Sequence, residues 1–74
     1  MKMTEIKPAI ARSISHNEIV TLQVADPKEV LGEIDNDENV TELDWANDER
    51  GSGKGLDVWG KRLGGDFRLF ITAS

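Results

Sequence analysis

The sequence predicts an α+β domain, with an antiparallel sheet of four or five strands and one short helix packed on a face, in the order ββαβββ. Three observations carry that expectation. Several segments alternate apolar and polar residues at period two, the mark of half-buried strands. A single well-formed helix start stands at Asp26–Pro27. Two glycines, Gly64 and Gly65, divide the last alternating run as a hairpin turn would.

The elements follow in order. Thr4 to Ile14 is ambiguous: Ile6, Ile10 and Ile14 fit a strand face, while their i, i+4 spacing also fits a short helix starting at Pro8. The strand is the favoured reading, with Ser15-His16-Asn17 as the following turn and Pro8 on a sheet edge. Glu18 to Val24 is rich in β-branched residues, and Val20, Leu22 and Val24 share one face. Asp26 then caps a helix, Pro27 suits its first position, and Glu29 completes a capping box. Val30, Leu31 and Ile34 form its apolar stripe, and it ends near Asp35-Asn36. So short a helix is marginal alone in water and must lie on the sheet.

Val40 to Ala46 alternates again. Leu43 and Trp45 face one way with Thr41, which places Trp45 in the core; Glu42 and Asp44 face the other way. Residues 47–55 form a flexible acidic and glycine-rich loop without an apolar side chain. The chain ends in a hairpin about Gly64-Gly65. That turn sets Leu63 opposite Asp66, Trp59 opposite Phe70 and Val58 opposite Ile71. One face holds Leu56, Val58, Phe67, Leu69 and Ile71, and the other holds Trp59, Lys61, Arg68, Phe70 and Thr72. The pattern fixes the two faces but not which of them the helix covers.

Composition bounds what such a domain does. At 74 residues there is material for a single domain, 1–74. A chain of this size buries only roughly 60 % of its unfolded surface. No cysteine is present to brace it by disulfide or thiolate zinc site. That absence, with no signal-like apolar run at Met1–Pro8 and no apolar stretch of about 18 residues, predicts a cytoplasmic protein away from membranes.

Net charge is −5, but it is unevenly spread. Residues 26–50 carry ten acids against Lys28 and Arg50, while the flanks are weakly basic. Such a middle attracts basic protein surfaces and repels nucleic acid.

Gly51-Ser52-Gly53-Lys54-Gly55 is not a phosphate loop: Gly55 stands where Ser or Thr is needed, and a strand rather than a helix follows. Asp35, Asp37 and Asn39 match the first ligands of a calcium loop. Val40 and Ala46 occupy the positions that require glycine and a bidentate glutamate. One histidine, His16, and no cysteine leave neither a metal set nor a catalytic pair within one chain. No cofactor and no enzymatic activity are expected.

Two constellations remain. Asp35, Asp37, Glu38, Glu42, Asp44, Asp48 and Glu49 form an acidic surface suited to a basic protein partner. Carboxylates spaced about 6–7 Å apart along strands can imitate phosphates, so an inhibitor that occupies a basic nucleic-acid-binding groove is one specific form. Trp59, Phe70, Lys61 and Arg68 form an aromatic and cationic face. It suits a protein hot spot, a homodimer contact or single-stranded nucleic acid. The negative net charge argues against the last.

Overall fold

The computed structural model describes residues 2–48 and 55–73. The elements run α1 (Met3–His16), β1 (Ile19–Val24), α2 (Pro27–Asp35), β2 (Val40–Asp48), β3 (Gly55–Arg62) and β4 (Gly65–Ala73). The fold is α+β, but it differs from the sequence expectation in three ways. A helix replaces the first strand, a second helix therefore joins the layer, and the four-stranded sheet is mixed rather than antiparallel.

The strand order is β1-β4-β3-β2. β2 pairs antiparallel with β3, and β3 with β4, while β1 pairs parallel with β4. β2 therefore runs in the same sense as β1, at the opposite edge. The cause is α2: a helix on one face between two strands returns the chain in its starting direction.

Residues 3–16 are helical because Ile6, Ile10 and Ser13 share one buried stripe. Pro8 does not mark a sheet edge; it lies inside the helix on an exposed position. Asn17 ends α1 in the left-handed region (φ 51°), and its N–H donates to the Ser13 carbonyl. α2 starts and stops as the sequence predicts. The Asp26 carboxylate accepts from the Lys28 N–H at 3.2 Å, and Pro27 opens the helix.

Both helices lie on the same side of the sheet. Ile6 and Ile10 of α1 and Val30 and Ile34 of α2 pack on Leu56, Val58, Phe67, Leu69 and Ile71, with Val24 beside them. That side is the predicted core face of the hairpin. Ser13 ties the layers together. Its hydroxyl accepts from the Arg68 N–H at 2.8 Å and lies within donating reach of the Glu18 and Arg68 carbonyls.

The hairpin turn is Leu63-Gly64, not Gly64-Gly65. Arg62 pairs with Gly65, Trp59 with Arg68 and Val58 with Leu69. This shifts the register by two residues and so preserves both faces. Leu63 and Gly64 take φ values of 50° and 81°, as a two-residue turn of this kind requires. Gly65 is needed in the strand because a Cβ there would come within 2.5 Å of Ile14 on α1.

Of the loop expected at 47–55, Asn47 and Asp48 belong instead to β2 and Gly55 to β3. The centre of that loop lies outside the described residues. Trp45 has the predicted phase, opposite Val58, but is not core. It is 42 % exposed because the helix layer stops short of the β2 edge.

Candidate functional site: the uncovered sheet face

With both helices on one side, the other side of the sheet carries no layer among the described residues. The strand registers arrange its side chains in rows. Asp44, Trp59, Arg68 and Ile19 form one row across β2, β3, β4 and β1. Ala46, Asp57, Phe70 and Thr21 form the next. Glu42, Lys61 and Asp66 form a third on the other flank.

Trp59 is the large aromatic at the centre, 40 % exposed, and Ile19 at the end of its row is 46 % exposed. Phe70 is half-buried, and its ring lies against the backbone of β3. A Cβ on Gly55 would come to 2.7 Å from that ring, which explains a glycine at this strand position. Trp59 is thus the more available anchor. Beside it, Glu42, Asp44, Asp66 and Arg68 border an open depression of about 490 Å³.

The charges are ordered by neighbours. Lys61 lies 3.4 Å from Glu42 and 3.9 Å from Asp66, so its ammonium is shared by two carboxylates across the strands. Asp44 accepts from the Trp45 N–H at 2.8 Å. Arg68 is exposed. The face as a whole carries Glu42, Asp44, Asp57 and Asp66 against Lys61 and Arg68, an acidic excess around an apolar centre.

The structure divides the acidic cluster of the sequence. Glu42 and Asp44 join Trp59, Lys61, Arg68 and Phe70 on the uncovered face. Asp35 ends α2 and Glu38 lies in the turn before β2, both exposed and both away from that face. Asp48 closes β2 opposite Gly55, and Glu49 lies outside the described residues.

Asp37 is engaged within the fold. Its carboxylate accepts from Arg62 Nε at 2.7 Å and from the Asn39 N–H at 3.0 Å, with the side chain only 7 % exposed. The bond from Arg62 is the main reason its pKa lies below the usual carboxylate range, and the Asn39 N–H adds to it.

Sequence reading missed Ile19. The signal was present: it is an apolar residue out of phase with Val20, Leu22 and Val24, and so directed to the opposite face. Elsewhere, His16 is exposed at the end of α1, and the Ser13 hydroxyl is occupied by backbone groups. Among the described residues no three His, Asp or Glu side chains are grouped to hold a metal ion, and no helix is long and apolar enough to cross a membrane. No family model, curated protein or solved structure matches the chain.

Proposed function

We propose that this chain is a non-catalytic interaction protein whose uncovered sheet face docks on a basic protein surface. The observation that supports it is the row Asp44-Trp59-Arg68-Ile19: an aromatic centre on a rigid sheet, flanked by carboxylates, with no layer of described residues over it. Aromatic and arginine side chains supply most of the binding energy in protein contacts. A surrounding acidic excess speeds and orients encounter with a cationic partner. A basic nucleic-acid-binding groove is a surface of that kind, and an inhibitor that fills one is the narrower form of this reading.

The test is capture of partners by the tagged chain beside two variants. Wild type should retain a basic protein at about 50 mM salt and release most of it by about 500 mM, since screening shortens the reach of exposed charges. Trp59→Ala should lose about 2 kcal/mol or more of binding. Asp44→Lys should weaken it further at low salt than at high salt. A partner held equally by wild type and Trp59→Ala, or held without regard to salt, would contradict the proposal.

A further inference from the structure

The second exposed tryptophan lies elsewhere and is part of a different surface. β2 is the last strand of the sheet, so among the described residues one row of its backbone N–H and C=O groups has no neighbouring strand. On the helix side, α2 turns residues at positions 28, 31, 32 and 35 toward β2, the i, i+3, i+4, i+7 spacing of one helix face. Between them runs a groove of about 320 Å³ lined by Lys28, Leu31, Gly32 and Asp35 of α2 and by Leu43 and Trp45 of β2. Gly32 leaves it open: a Cβ there would meet nothing within 4 Å. On its other side β2 presents the exposed carboxylates of Glu42 and Asp44.

We infer that the β2 edge and this groove take up an extended peptide segment as a fifth strand, one that alternates apolar with cationic residues. An added strand continues the alternation of its neighbour. Its residues on the helix side enter the groove against Leu43 and Trp45, and those on the other side meet Glu42 and Asp44. The carboxylates select the cationic occupant, and the apolar side chains of Leu31, Leu43 and Trp45 in the groove select the alternation. Like-charge repulsion disfavours a second copy of β2, which carries Glu42 and Asp44 itself. The Trp45 N–H, held by Asp44 at 2.8 Å, becomes available to the incoming strand when that carboxylate turns to a cation. This site shares Glu42 and Asp44 with the uncovered face but uses neither Trp59 nor Ile19.

The experiment titrates a nine-residue, end-blocked peptide alternating lysine with valine, matched to the nine residues of β2, into the isotopically labelled protein. The expected result is amide shifts concentrated in Val40–Asp48 and at the Trp45 indole. Gly32→Leu fills the groove with a better helix former. It should keep or raise the thermal midpoint while weakening the peptide about tenfold or more, the equivalent of about 1.4 kcal/mol. On the wild-type protein, N-methylation of alternate peptide nitrogens, or glutamate in place of lysine, should abolish binding. Trp59→Ala should leave it unchanged. The inference is overturned by an absence of β2 shifts at millimolar peptide, by equal affinity of the N-methylated peptide, or by shifts centred on Trp59. Failure of the open-face proposal is distinguishable from failure here, because this binding is read on Val40–Asp48 and Gly32 and must survive Trp59→Ala.

Discussion

Leu63 holds a left-handed backbone conformation, φ 50°, with its side chain 70 % exposed. A branched side chain is costly there, whereas Asn tolerates the region and suits the first position of such a turn. The turn persists because its neighbours demand it. The Leu63 N–H donates to the Asn39 carbonyl at 3.1 Å, and Gly65 is fixed in place by Ile14. Leu63→Asn should therefore stabilise the fold by about 1 kcal/mol in urea denaturation; a loss of stability would contradict this account of the turn. Arg62, one residue earlier, holds Asp37. Because folding lowers the pKa of Asp37 below its ordinary value of 3.8, the pair stabilises the protein above that pH. The contribution is lost as pH falls through the lower folded value. Asp37→Asn should cost about 2 kcal/mol at neutral pH. Its gap from wild type should narrow once pH drops below about 4. A gap that stays constant across acid titration would contradict the assignment. These features were only partly legible: Asp37 read as one acid among many, because its partner lies 25 residues away in sequence.

At the scale of elements, α2 and the two faces of the hairpin were readable because each rests on local chemistry: the Asp26-Pro27 start and strict alternation. α1 was not. Ile6, Ile10 and Ile14 are four apart, a spacing that both a two-residue and a 3.6-residue period accommodate, and Pro8 argued for an edge. Burial decided it, since the helix can place Ile6, Ile10 and Ser13 together over β4. Pro8 remains a local fault inside α1, with no N–H to give to the Thr4 carbonyl. Pro8→Ala should restore that bond and raise stability by about 1–3 kcal/mol, measured by denaturant midpoint. An unchanged or lowered midpoint would mean that the first turn of α1 adds little to the fold. The hairpin register is hidden for a related reason: two adjacent glycines look like a turn, but one of them is there to admit Ile14.

The whole molecule is a two-layer sandwich with one side of its sheet left uncovered among the described residues, and that asymmetry organises the rest. The mixed sheet was not legible because it depends on where the chain returns after α2, a non-local matter. The uncovered face was legible in part. Trp59, Lys61, Arg68 and Phe70 were grouped correctly by alternation, but Ile19 and the joining of Glu42 and Asp44 to them required the β1–β4 and β2–β3 registers. Placing Trp59 on a partner-binding face leads to a direct measurement. Hydroxyl-radical footprinting of the chain, alone and with a captured partner bound, reads side-chain cover by mass spectrometry. The account predicts strong protection of Trp59 and Ile19 in the complex, with Leu63 oxidised to the same extent in both. Unchanged oxidation of Trp59 in a complex that is fully bound would contradict it.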